Sequence, residues 1–584
     1  MLRTALFTGL LVSALATTTC TPAPAIIIEK DVPVRMRDAV VLRADVWRPS
    51  AAGRFPVLVY RTPYNKARAS EDYTIFRRAV ERGYAIVIQD VRGRYASEGE
   101  FIAYQYEGRD GYDTIEWAAA QPWSNGAVGT FGLSYPGAVQ WLAAVERPPH
   151  LRAMVPAMTF SSPKLFFYVG GVFDLSWLPW LWNNIAPDIR VKKNLPGPRT
   201  TAEARAAWPQ VRERLYRHLP LSDLPDFKEI APFYYDWLQH PPGDPWWDWA
   251  ELENKYDRVD AAVLNLSGWY DEAYGPSGAT RNFVGLRRQQ SQPRTQLIIG
   301  PWVHGVDATA QTRAGEREFG PAARLDYDEL VLRWLDHYVK GVDNGVDKEK
   351  PVKIFVMGDN VWRAADDWPL PETKYTPLYL HPAPAGSSAG RLAWEPPAEH
   401  AGFSSYVSDA ANPVVDPFAG SYGAHDQRRL ASRTDVLTFD SEPLDNDLEV
   451  TGPIVAELYV SSDAPDSDFW VRLIDVAPDG TAYNLMSPGL DVLRASYRHG
   501  GPEQQLLHPD RNYKLRLTNL LTSNVFKRGH RLRLQILSSF FPHFSRNLHT
   551  GELEAVSART AKATNCIYHR RAHPSRLILP IIPR

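Results

Sequence analysis

The chain has 584 residues, 44% hydrophobic and 12% aromatic, with 65 basic and 67 acidic side chains and a formal net charge of −2. That length exceeds one ordinary core and implies two or three domains. The balanced charge, with no block of one sign, excludes the electrostatic footprint of a nucleic-acid binder. Two cysteines, Cys20 and Cys566, cannot build a disulfide framework or a thiolate metal site.

Residues 1–25 read as a signal peptide. Arg3 supplies the positive start, and Ala5 to Ala16 is an apolar stretch too short to span a bilayer. Small residues follow, with cleavage expected after Ala16 or Ala25. The protein is therefore expected to be secreted or periplasmic. A lipoprotein built on Cys20 is the lesser expectation, because Thr17-Thr18-Thr19 is a poor lipidation context. No other segment is long and apolar enough for a membrane span.

From residue 26 to 160 the pattern predicts the first part of an α/β domain. Leu42, Ala44 and Val46 share one face of a strand. Val57-Leu58-Val59-Tyr60, Tyr84-Ala85-Ile86-Val87-Ile88, Val128-Gly129-Thr130-Phe131 and Ala153-Met154-Val155 read as further strands, with a helix from Gly111 to Ala120 ended at Gln121-Pro122. Continuous apolar strands between helices imply a parallel sheet covered on both faces. Residues 161–258 break this rhythm with helical spacing, many aromatics and frequent proline, and read as a helical cap. Ala202 to His218 is its clearest helix, with a kink or break expected at Pro209. The α/β rhythm resumes over 259–348. Val263-Leu264-Asn265-Leu266 and Gln296-Leu297-Ile298-Ile299 are strands, and Tyr327 to Lys340 is a helix capped by Gly341. Over 349–584, strands of period two such as Lys353-Ile354-Phe355-Val356, Ile454 to Val460 and Arg531 to Ile536 predict an antiparallel β-sandwich.

The chemistry centres on Gly132-Leu133-Ser134-Tyr135-Pro136-Gly137. It departs from the G-x-S-x-G nucleophile elbow, since the second glycine comes one place late. A strand still feeds a sharp turn and an Ala-rich helix still leaves it, which holds Ser134 exposed at the strand's end. Gly132 permits close backbone approach, Gly137 permits the helix to pack on the sheet, and Pro136 fits the first helical turn. Gly386-Ser387-Ser388-Ala389-Gly390 matches G-x-S-x-G by the letter. It lies in a Pro/Ala/Gly loop before a strand, so its context ranks it lower.

A serine hydroxyl needs a base to take its proton. Doubly wound hydrolases supply an acid and then a histidine from loops after later strands. The strand at Val263 runs into Ser267-Gly268-Trp269-Tyr270-Asp271, and the strand at Gln296 runs into Gly300-Pro301-Trp302-Val303-His304. Ser134, Asp271 and His304 thus stand in the required order as nucleophile, orienting acid and base. Taken singly, Asp271 could be a helix-capping carboxylate, with Glu272 a neighbouring competitor, and His304 is one of 15 histidines. Asp90, Arg92 and Arg94 read as a structural ion-pair cluster. The cap aromatics, among them Phe166, Trp177, Trp180 and Trp237, supply core packing and candidates for an acyl pocket.

The chain resembles the family of cocaine esterase, α-amino-acid ester hydrolase and the bacterial X-prolyl dipeptidyl peptidases. The resemblance is carried by Arg61-Thr62-Pro63-Tyr64, Gln89-Asp90-Val91-Arg92-Gly93-Arg94, Ser97-Glu98-Gly99-Glu100-Phe101, Gln121-Pro122-Trp123-Ser124, the Ser134 turn, Gly268-Trp269-Tyr270-Asp271 and Gly300-Pro301-Trp302-Val303-His304. It implies an α/β-hydrolase domain with an inserted helical cap and a C-terminal all-β jelly-roll sandwich. It also implies an oxyanion hole from the Tyr64 hydroxyl and the Tyr135 backbone N–H; the residues themselves show no metal-ligand spacing and no phosphate loop, so no metal and no cofactor are expected. The resemblance's amino-ester branch carries carboxylates two and three places after the acid, and here those places hold Ala273 and Tyr274. The expected substrate is a small-molecule ester or amide, with an X-prolyl dipeptide or a β-lactam or amino-acid ester as alternatives. A non-catalytic binding protein using its sandwich is the rival from another class. Self-association is left open.

Overall fold

A computed structural model describes residues 25–584 apart from 51, 273, 292–293, 385–386, 388, 401, 487–490 and 510. The expected signal peptide and Cys20 therefore lie outside the described residues, as do two positions of the Gly386–Gly390 loop. No helix among the described residues is long and apolar enough to cross a membrane.

The first sheet is built from β1 (Ile26–Arg35), β2 (Val41–Pro49), β3 (Phe55–Thr62), β4 (Ala85–Asp90), β5 (Ser124–Leu133) and β6 (Leu151–Ala157). Between them run α1 (Lys66–Asp72), α2 (Ile75–Glu81), α3 (Glu107–Ala119) and α4 (Tyr135–Ala144). A helical segment follows. It contains a small hairpin of β7 (Tyr168–Val169) and β8 (Val172–Phe173), then α5 (Trp177–Trp180), a π-helical turn at Leu181–Ile185, α6 (Ala186–Lys193), α7 (Thr201–Arg217) and α8 (Phe233–Gln239). Next come β9 (Ala262–Tyr270), α9 (Gly275–Gln289), β10 (Thr295–Val303), a hairpin of β11 (Arg313–Ala314) and β12 (Arg317–Glu318), α10 (Tyr327–Tyr338), β13 (Val352–Val356) and β14 (Val361–Ala365).

The ten-stranded order is β1-β2-β4-β3-β5-β6-β9-β10-β13-β14. The run from β4 to β13 is parallel, and β1, β2 and β14 join antiparallel at the flanks. The apolar strands are buried throughout, as at Ala85–Asp90 and Ala262–Tyr270. The chain leaves β3 toward β4 on one side, then returns to place β5 on the other. A crevice therefore opens at the C-terminal ends of β3 and β5, where doubly wound sheets bind ligands.

Three local expectations are corrected. Lys353–Val356 was grouped with the sandwich over 349–584 by its alternation, but β13 pairs parallel with β10, so the first sheet continues to Ala365. Helix α3 starts at Glu107, a turn before Gly111, because its first turn buries Glu107 and Asp110 as ion-paired carboxylates that conceal the apolar stripe. Helix α7 runs through Pro209 unbroken. Its start is fixed by Thr200, whose hydroxyl accepts from Glu203 N–H, and by Glu203, which accepts from Arg199 N–H.

The C-terminal region is a β-sandwich. Leu448–Ser462 pairs antiparallel with Tyr513–Phe526 and with Arg576–Ile582, and Asp468–Val476 pairs antiparallel with Arg531–Leu537. Its core gathers Leu458, Phe469, Leu515, Phe526, Leu534 and Leu577, all buried.

Candidate active site

Ser134 stands between β5 and α4 with φ +71° and ψ −129°. A non-glycine residue pays roughly 1–3 kcal/mol for such a conformation, which persists only where the surroundings enforce it. Here Ser134 N–H donates to the Ala157 carbonyl at 3.0 Å, and the Ser134 carbonyl accepts from Gly137 and Ala138 N–H. Gly132, at φ +142°, has Pro136 so close that an added Cβ would lie 2.6 Å from the Pro136 Cβ. A Cβ on Gly137 would lie 2.7 Å from the Ala157 carbonyl. Both glycines thus serve the close approaches that the motif predicts.

The loops after β9 and β10 meet. His304 Nδ1 lies 2.8 Å from Asp271 Oδ1, with Asp271 fully buried and the His304 side chain 22% exposed. An ionised carboxylate accepts only, so Nδ1 carries the proton and Nε2 is left as an acceptor. Ser267 Oγ donates to Asp271 Oδ2 at 3.4 Å. The loops approach closely because of Gly268, where a Cβ would sit 2.1 Å from the Trp302 carbonyl. Gly268→Ala is expected to lower kcat/KM about 100-fold, since a shift near 1 Å at reacting groups carries that effect. Steady-state kinetics on an aryl ester, beside a circular dichroism check of folding, measures this.

Ser134 and His304 line one cavity of about 490 Å³. Tyr64, which follows β3, lines it too. Trp180 Nε1 donates to the Tyr64 hydroxyl at 2.9 Å, which leaves the phenol proton free to point elsewhere. Burial pushes the Tyr64 phenol up to about 12, with hydrogen bonds to Trp180 and Ser134 opposing. Tyr135 is the first residue of α4, where an N–H has no intrahelical partner. Its ring is fixed by a buried network. The hydroxyl donates to Glu107 Oε1 at 2.8 Å and accepts from Tyr104 N–H at 2.9 Å. Arg61 Nη1 pairs with Glu107 Oε2 at 2.9 Å, and Arg61 Nε donates to Gln89 at 2.8 Å.

Arg94 is fully buried and ties the Tyr64 loop to the helical segment. Its guanidinium donates to the carbonyls of Pro63, Asn184 and Ile185, each at 2.9 Å. The expected Asp90, Arg92 and Arg94 cluster is resolved into separate partnerships. Arg92 pairs with Asp110 and Asp38, and Asp90 accepts from Lys66 N–H. Among the cap aromatics, Phe166, Trp177 and Trp180 line the cavity, whereas Phe167, Trp237 and Trp247 pack together in the core.

Sequence reasoning missed four contributors. Tyr274 lines the cavity, its hydroxyl 3.1 Å from that of Tyr104 and its ring beside His304. Tyr422 and His543, from the C-terminal region, close another wall. Glu272, seen only as a rival to Asp271, is 7% exposed and also faces the cavity. Among the described residues, no group of three or more His, Cys, Asp or Glu could hold a metal ion.

A parallel sheet with Ser134, Asp271 and His304 at the carboxyl ends of its strands, a helical insertion and a β-sandwich define an α/β-hydrolase fold. Residues 38–306 match the model of the X-Pro dipeptidyl-peptidase (S15 family), and residues 344–578 match the X-Pro dipeptidyl-peptidase C-terminal non-catalytic domain. Cocaine esterase of Rhodococcus sp. (strain MB1 Bresler) is 34% identical over 581 residues, covering 95% of this chain and 99% of that one. An α-amino acid ester hydrolase superposes with TM-score 0.81 at 26% identity, over 98% of both chains. An aminopeptidase from the marine sediment archaeon Thaumarchaeota archaeon superposes with TM-score 0.79 at 26% identity, over 98% of this chain and 99% of that one. The chain belongs to the S15 family of hydrolases, whose named members include esterases and peptidases.

Proposed function

We propose that the protein is a serine esterase that transfers an acyl group from a carboxylic ester to Ser134 and then to water. The observation that carries this reading is the 2.8 Å bond between Asp271 and His304 on the cavity that also receives strained Ser134. His304 Nε2 takes the Ser134 proton as the hydroxyl attacks the carbonyl carbon. Asp271 keeps the imidazole in the productive tautomer and stabilises the imidazolium. The Tyr64 hydroxyl and the Tyr135 N–H hold the oxyanion. His304 then protonates the leaving alcohol, and water releases the acyl group by the reverse steps. The similarity to cocaine esterase over nearly the whole of both chains favours esters over X-prolyl peptides. Comparison of aryl esters with Xaa-Pro anilides tests that choice. A burst of nitrophenol from a 4-nitrophenyl ester, equal to the enzyme present, is expected if an acyl-enzyme accumulates.

Tyr64→Phe should lower kcat about 10²- to 10³-fold, the effect of removing one oxyanion donor. A phenol donates only below its pKa, and here that is about 12. The ratio of wild-type to Y64F activity should therefore stay constant from about pH 7 to 10, whereas a free phenol is half ionised near pH 10. A ratio that halves by pH 10 would show Tyr64 to be solvated and assign the oxyanion elsewhere.

A further inference from the structure

Behind the cavity lies a smaller chamber of about 40 Å³ between the α/β domain and the sandwich. Glu272, Tyr422 and His543 line both spaces, so the chamber is an annex of the cavity. Neither Glu272 oxygen has a hydrogen-bond partner among the described residues, although the residue is only 7% exposed. Arg472 faces the annex from the strand Asp468–Val476 and is 1% exposed. Its Nη1 donates to Gln427 at 2.6 Å, and its Nε has no partner. His425 Nε2 is engaged by the Ser421 carbonyl at 2.9 Å, while its Nδ1 lies 3.6 Å from Glu316 Oε1 and has no hydrogen-bond partner among the described residues.

A buried polar group left unpaired is costly, and Glu272 and Arg472 lining one space point to a ligand that pairs with both. The annex exceeds the roughly 10–15 Å³ that a single water requires and is too small for a ring. It mixes signs. Glu272 and Asp416 are the acidic residues that line it, Arg472 is the cationic one, and His425 and His543 are its titratable rings. A cation placed there meets Arg472, and an anion meets Asp416. We propose that the annex is a second substrate subsite that takes a small uncharged group able both to donate and to accept, such as a carboxamide or hydroxyl, with Glu272 as a specificity-determining residue. This rests on the acyl-transfer reading above. Burial and the Asp271 charge push the Glu272 carboxyl well above its ordinary range. A protonated carboxyl offers one donor and one acceptor. Arg472 Nε then donates to the ligand's oxygen.

The test uses the full-length protein and 4-nitrophenyl esters of three- to six-carbon acyl chains ending in methyl, carboxamide, trimethylammonium or carboxylate. The wild type is expected to favour carboxamide over methyl about tenfold or more in kcat/KM at one chain length. Glu272→Gln, which copies the shape and donor–acceptor pattern of a neutral carboxyl, should keep that ratio. Glu272→Leu should bring it near one. Equal rates for carboxamide and methyl at every length would overturn the proposal and leave the annex to water. A preference for trimethylammonium, lost in E272Q, would overturn it in favour of a cation site. An unchanged ratio in E272L would reduce Glu272 to a support for Asp271. Turnover of the methyl esters with Ser134 acylation tests the acyl-transfer reading separately, since only the ratios bear on the annex.

Discussion

Ser134→Ala abolishes ester turnover: kcat/KM is expected to fall by about five to six orders of magnitude, the loss seen when a nucleophile acting within a triad is removed. The reason is local. Ser134, after β5, is held at the cavity wall by α4, Gly132 and Ala157 in a conformation with φ +71°. Alanine keeps that backbone and removes only the oxygen. Covalent labelling by a fluorophosphonate, read by intact mass, should vanish in parallel. Labelling that persists in S134A would refute the nucleophile, and the ester burst would then need another hydroxyl.

Asp271→Asn is expected to lower kcat about 10⁴-fold with KM little changed. The carboxylate is fully buried and accepts the His304 Nδ1 proton at 2.8 Å. An asparagine amide pointing its NH₂ at the ring forces the proton onto Nε2, where it blocks the base. The volume is unchanged, so the effect is electronic and tautomeric rather than steric. Kinetics beside an unchanged melting curve check this. A loss below about tenfold would mean that the histidine finds its orientation elsewhere.

Much of this arrangement was legible because the candidate residues stand on loops that follow strands. Apolar runs at Val128, Val263 and Gln296 are easy to see, and each ends at one residue of the needed type. Chain order then does what geometry does in space. The elbow was legible despite its displaced glycine, since Gly132 and Gly137 answer two real contacts. Less was legible where partners are set by tertiary packing. Nothing in the helical pattern of Glu107 announces that its carboxylate receives the Tyr135 phenol. Tyr422 and His543 reach the cavity from loops of the sandwich, and alternation in strands says which face is buried but not what a loop tip will touch. The strand Val352–Val356 shows the same limit. Period two fits a strand near the flank of a mixed sheet as well as a sandwich, and only its pairing with β10 decides.

One feature of the sheet bears on how such a protein can change. β6 and β9 are side-by-side partners, Ala157 opposite Leu266, although the entire helical segment intervenes between them in the chain. The scaffold thus closes on itself beneath the insertion, and the strand ends that carry Ser134, Asp271 and His304 do not depend on which helices are spliced in. Selection can rewrite that cassette, or an engineer exchange it, and alter which molecules gain admission while these three residues keep their places, provided that the new segment restores the contacts of Trp180 with Tyr64 and of Asn184 and Ile185 with Arg94.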